Sequence, residues 1–149
     1  MTAPGDFSSG DVLTAADMND LPAGILGFNE NTSSVSLSTS PANLTSVTFT
    51  ISSTRTVLLS GYVPVIDSAP AQLFVYVGIR PSGGGAIQLA VSGISPSDAR
   101  ATSVSIQRII SLTAGTYTYE LYANTGSNTC TAYAASAYRQ TLAAIDLGD

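Results

Sequence analysis

The chain has no histidine, no lysine and no tryptophan, a single cysteine, and arginine as its only cationic side chain. Each absence removes a class of chemistry. A Ser-His-Asp or Cys-His nucleophile needs an imidazole base, and a Ser-Lys pair needs an amine, so neither arrangement is open to this sequence. Cys130 alone forms no intrachain disulfide and no cysteine-based metal site. It lies in "SNTCTAYAA", where the alternation reads as a packed strand residue with an inert thiol. The five arginines, at 55, 80, 100, 108 and 139, are scattered, and the net charge is −5. Nucleic-acid binding rests on clustered Lys and Arg that neutralise phosphates, so this charge pattern argues against it.

Long apolar runs are also missing. None approaches the ~20 residues that span a bilayer, and "MTAPGDFSSGD" has neither the basic region nor the apolar core of a signal peptide. Metal and phosphate loops are equally absent. "PSGGGA" (81–86) lacks the Gly-Lys-Ser/Thr end of a phosphate loop. Asp67 and Asp98 are not set in the dense oxygen spacing of a calcium loop. Glu30, Asp67, Asp98, Glu120 and Asp146 supply carboxylates for a glycoside-hydrolase pair in principle, but none stands in a motif, and they read as solvated loop acids. The expectation is a protein without catalytic residues, metal or cofactor.

What is present is apolar and hydroxylated. Apolar residues make up 44% of the chain, the mean hydropathy is +0.28, and Ser and Thr together number 38. For a single domain of this length, surplus apolar surface reflects burial between subunits more readily than contact with lipid. From about residue 23 the sequence breaks into roughly nine or ten short strands with turn signals between them. "LTSVTFTI" (44–51) places Val47, Phe49 and Ile51 on one face and Thr48 and Thr50 on the other. "TVLLSGYVPV" (56–65) starts as a fuller apolar run, and Pro64 requires a bulge or the end of a pairing there. "AQLFVYVGIR" (71–80) is apolar on both faces, as in a strand covered on both sides. "TAGTYTYELYA" (113–123) puts Tyr117, Tyr119 and Leu121 together. The fold class expected is an all-β, jelly-roll-like antiparallel sandwich of about 8–10 strands over 23–149, preceded by a short N-terminal arm, 1–22.

The arm has its own logic. Thr14 caps a helix of about two turns, with Asp17 at the third helical position as a capping-box variant. Pro22 ends it. A helix that short is unstable alone in water, so Leu13, Met18 and Leu21, with Phe7 and Val12 nearby, need a surface. Two surfaces compete: the end of the chain's own sandwich, or a neighbouring protein.

The segment "F-x-x-G-D-V-L-T-A-A-D-M-N" (Phe7 to Asn19) resembles a short N-terminal segment of tail-associated and other small virion proteins of tailed bacteriophages. "SLTAGTYTYELYA" (111–123) and "TLAAIDLGD" (141–149) look like the last strands of jelly-roll domains in phage fibres, spikes and decoration proteins, which are similar in layout to trimeric C1q/TNF-like heads. The resemblance implies a virion component, trimeric, with Phe7, Val12, Leu13, Met18 and Leu21 docking the arm onto another virion protein of the tail or the capsid. Tail tip or fibre is favoured over capsid decoration. It leaves room for a host-surface glycan on a fibre head, where Tyr62, Tyr76, Tyr117, Tyr119, Tyr122, Tyr133 and Tyr138 are candidates by type.

Overall fold

The computed structural model describes residues 24–68, 73–85, 88–94 and 102–148. They form ten strands: β1 (Gly24–Asn31), β2 (Val35–Leu37), β3 (Ala42–Ile51), β4 (Arg55–Ser68), β5 (Leu73–Pro81), β6 (Gln88–Ile94), β7 (Thr102–Leu112), β8 (Gly115–Thr125), β9 (Cys130–Tyr133) and β10 (Gln140–Gly148). No helix occurs among the described residues, and the arm over 1–22 lies outside them.

All pairings are antiparallel and fall into two sheets. The first runs β1-β10-β4-β9-β2, with β7 on β4; the second runs β3-β8-β5-β6. β4 is its spine. It pairs with β7 along one edge from Arg55 to Ile66. Along the other edge it pairs with β10 from Thr56 to Tyr62 and with β9 from Val65 to Ser68. Pro64 sits in the gap between those two partners, where the register with β7 also shifts. The missing proline N–H therefore falls where the ladder is already interrupted.

The core lies between the sheets. Val57, Leu59, Val63 and Ile66 of β4 and Leu142 and Ala144 of β10 face Val47, Phe49 and Ile51 of β3, Leu121 of β8 and Val75, Val77 and Ile79 of β5. Phe49 stacks on Tyr119, with centroids 6.1 Å apart and planes at 15°, and tilts against Tyr117 at 6.0 Å. Burial holds the Tyr119 phenol above its ordinary pKa, and the neighbouring Tyr117 adds to the effect. Cys130 is buried in this core, the environment expected from its strand.

Polar groups inside the sandwich are satisfied. Gln140, fully buried, donates to the Ala132 carbonyl at 2.9 Å and accepts from Asn31 Nδ2 at 3.0 Å. The same Asn31 nitrogen lies 2.9 Å from the Leu44 carbonyl, so two amides tie β1, β3, β9 and β10 together. At the opposite end of β10, Asp146 accepts from the Gly148 N–H at 2.9 Å and faces Arg55 at 3.8 Å, both side chains being buried.

One expectation is corrected. The 71–80 segment was expected to be covered on both faces, but only the inner face of β5 is. Val75, Val77 and Ile79 are fully buried, whereas Phe74 on the outer face is 55% exposed and Tyr76 is half-buried. Among the described residues no third layer lies over the second sheet to cover them.

Candidate docking face

The outer face of the first sheet is built from cross-strand rows that the register fixes. Ile25 of β1 pairs with Ile145 of β10, Ile145 with Leu58 of β4, and Leu58 with Ile109 of β7. These four side chains form one unbroken apolar row across four strands. The alternation that buries Val57 and Leu59 turns Leu58 outward. The next row is Phe28, Ala143, Ser60 and Gln107, and the third is Glu30, Thr141, Tyr62 and Ser105.

The exposure of the first row is large. Ile25 is 70% exposed and Ile109 59%, while Ile145 and Leu58 between them are half-buried. Phe28 (55%), Tyr62 and Leu147 extend the apolar area. A shallow hollow of about 400 Å³ opens beside Leu58 and Ile109, walled by Gln107 and Arg108. Contiguous exposed apolar area on a folded domain marks a surface for another macromolecule. The charges stand at its margins: Arg108 by the hollow, and Glu30 in an ion pair with Arg139 at the end of the third row. That hydrogen bond and the glutamate's charge hold the arginine proton more firmly still.

The docking-arm residues Phe7, Val12, Leu13, Met18 and Leu21 lie outside the described residues, as does Asp98. The tyrosines divide. Tyr119 is buried; Tyr117 is half-buried and donates to the Thr113 carbonyl at 2.9 Å; Tyr122 is buried beneath Arg80, 4.8 Å from its ring centroid. Tyr62, Tyr133 and Tyr138 are exposed. Three carboxylates, spread apart, each meet an arginine: Glu30 with Arg139, Glu120 with Arg80, Asp146 with Arg55. Among the described residues no group of three or more His, Cys, Asp or Glu is placed to hold a metal ion, and no helix is long and apolar enough to cross a membrane.

Ile25, Phe28, Leu58, Ile109 and Ile145 did not stand out in the sequence. The signal that points to four of them is the apolar doublet, in Ile25-Leu26, Leu58-Leu59, Ile109-Ile110 and Ala144-Ile145. Adjacent apolar residues in a strand make both of its faces apolar, because successive side chains point to opposite sides.

Two antiparallel sheets connected in this order define a jelly-roll sandwich. The fold is the TNF-like version of it. Among solved structures the chain is similar to the Eiger TNF of S. frugiperda, with a TM-score of 0.54 and 11% identity over 86% of this chain and 94% of that one. At that identity the likeness is one of fold. No protein-family model and no curated protein matches the chain.

Proposed function

We propose that the chain is a non-enzymatic structural protein of a tailed-phage virion. It assembles as a homotrimer through the outer face of its first sheet and attaches by its N-terminal arm, at the tail tip or fibre. The observation that carries the oligomer is the row Ile25–Ile145–Leu58–Ile109, open to solvent in the single chain. The row runs from one edge strand to the other, so its two ends can meet two different neighbours. A closed cyclic trimer needs that, since each of its interfaces joins unlike patches. The TNF-like fold supports the same layout, which resembles that of trimeric C1q/TNF-like heads. The virion and the tail are supported by the likeness of residues 7–19 to the N-terminal segments of tail-associated proteins.

Light scattering tests the oligomer: a stable monomer at micromolar concentration overturns it. A full-length Met18→Asp/Leu21→Asp variant tests the arm. Docking on another virion protein leaves the melting temperature within about two degrees of wild type and abolishes incorporation into particles. Burial against the chain's own sandwich would instead lower melting by roughly ten degrees, the effect of several kcal/mol of unpaired buried charge in a domain of this size.

A further inference from the structure

Three of the four described arginines face a carboxylate: Arg55, Arg80 and Arg139 meet Asp146, Glu120 and Glu30. Arg108 meets none among the described residues, although it is exposed on β7 beside the hollow of the first sheet. A cation beside an apolar hollow with no acid suits the face of an aromatic ring, which attracts it through the ring quadrupole. The hollow has the size for one. Its volume of about 400 Å³ exceeds the ~150 Å³ of an apolar cavity that seats benzene. Its walls belong to two neighbouring rows. Leu58 and Ile109 are the last two residues of the first apolar row, and Gln107 ends the second, so the hollow opens at the β7 margin.

An aromatic ring stands at the other end of that second row. Phe28 of β1 is 55% exposed on the same outer face. Its strand is fixed from behind: Asn29 Nδ2 donates to the Ser46 carbonyl at 2.8 Å, and a Cβ on Gly27 would fall 2.7 Å from Cγ2 of Val47. Within one chain the ring and the hollow do not meet. Three strand spacings separate β1 from β7 across β10 and β4, roughly 14 Å at ~4.8 Å each. Between copies they do. A cyclic assembly is generated by rotation alone, with no translation along its axis, so each residue keeps its height from copy to copy. With the axis along the strands, the β1 edge of one copy comes to the β7 edge of the next. Phe28 of one copy then stands nearly level with Gln107 of its neighbour, at the hollow, and Ile25 with Ile109.

Resting on the trimeric reading above, we infer that Phe28 of each copy seats in the hollow beside Leu58 and Ile109 of the next copy, with the Arg108 guanidinium over its ring. The occupant is a second copy of this chain. A knob at one end of the rows and a hole at the other are what a heterologous, closing contact requires. The apolar walls take the body of the ring, and the cation takes its face. A ring carried on a fixed edge strand loses little freedom on docking, which lowers the cost of association.

The full-length Phe28→Trp protein supplies a probe, because the chain has no tryptophan of its own. In the trimer its emission should be blue-shifted, as for a buried indole. With Ile109→Asp added, which breaks assembly, the emission should move to that of an exposed indole. By sedimentation equilibrium Phe28→Ala should weaken each interface about thirtyfold or more, the scale of an interface hot spot. Arg108→Gln should weaken it about fivefold in the wild-type background and hardly at all beside Phe28→Leu, which keeps an apolar knob without a ring. Residues this far apart in one chain act additively, so such coupling arises only between copies, and urea unfolding in the Ile109→Asp background should show none. Both side chains are exposed in the single chain, so these variants should fold. If Phe28→Trp itself blocks assembly, the coupling of Phe28 to Arg108 decides. A wild-type protein that stays monomeric overturns the trimer and this contact together. A trimer in which the Phe28→Trp emission is that of an exposed indole overturns the contact alone. So does an Arg108→Gln loss that is the same with and without Phe28→Leu.

Discussion

Replacing Ile109 with aspartate separates a docking face from an idle one. Complete burial of an isoleucine side chain contributes ~1.5–3 kcal/mol, and Ile109 is still 59% exposed in the single chain. Covering the remainder in an assembly is therefore worth ~1–2 kcal/mol per copy. An aspartate there forfeits that gain and, buried without a cation, adds a desolvation cost of several kcal/mol. A trimer contains the position three times, and each ~1.4 kcal/mol is a factor of ten, so assembly should disappear at any workable concentration. The fold should feel little. The substitution removes a β-branched residue from an outward strand position, worth about 1 kcal/mol or less, and lowers melting by no more than about 4 °C. Sedimentation velocity and calorimetry on the same samples provide the two readouts. An Ile109→Asp protein that keeps the wild-type sedimentation coefficient would refute the assignment of the β1-β10-β4-β7 face to the interface.

Three further outcomes concern contacts within the chain. Gln140→Ala strips its side-chain donor from the Ala132 carbonyl, whereas Asn31 Nδ2 keeps the Leu44 and Ser33 carbonyls; a loss of ~1–3 kcal/mol in urea unfolding is expected, the cost of one buried polar group left unpaired. Gly78→Ala places a methyl 2.5 Å from the Tyr122 ring and must displace it; overpacking of this kind costs ~1–3 kcal/mol, visible as a drop of about 3–10 °C in Tm. Tyr119, whose folded pKa is raised above the ordinary 10.0 chiefly by burial, contributes stability that is whole below that value and is lost as pH rises through the folded pKa. Circular dichroism across the alkaline range should show Tyr119→Phe losing less stability than wild type above pH 10.

How far the sequence disclosed the structure depended on whether a strand has one apolar face or two. β3 was readable residue by residue, because Val47, Phe49 and Ile51 alternate with threonines and only one side of it faces the core. The break at Pro64 was readable because a missing N–H is a local fact. β1 was not: "GILGFNEN" shows no alternation, since a register shift between Ile25 and Gly27 moves the phase and the polar Asn31 is drawn inward to Gln140. Arg108 also escaped the pattern. It continues the inward phase of Val104 and Ile106, yet it is exposed at the hollow beside Leu58. The tyrosines were legible as a type but not as a site. Tyr122 leaves solvent only because a glycine, two strand positions before Arg80 on the neighbouring strand, lets its ring lie down.

The surplus of apolar residues now has a location. Were it spent on the interior, the outward positions of both sheets would be the hydroxyl-rich surface that Thr48, Thr50, Thr116 and Thr118 present on one half of the second sheet. Instead Ile25, Phe28, Ile109 and Leu147 all lie on the outside of the first sheet, with Leu58 and Ile145 half-buried between them. A sheet with one solvated face would gain from threonine at those positions, because isolated exposed isoleucine adds nothing to folding while it invites association. The unbroken cross-strand row Ile25–Ile145–Leu58–Ile109 is hard to reconcile with a face that stays wet. The same sheet carries β1 at its edge, and Ile25 near the start of β1 is one end of the apolar row.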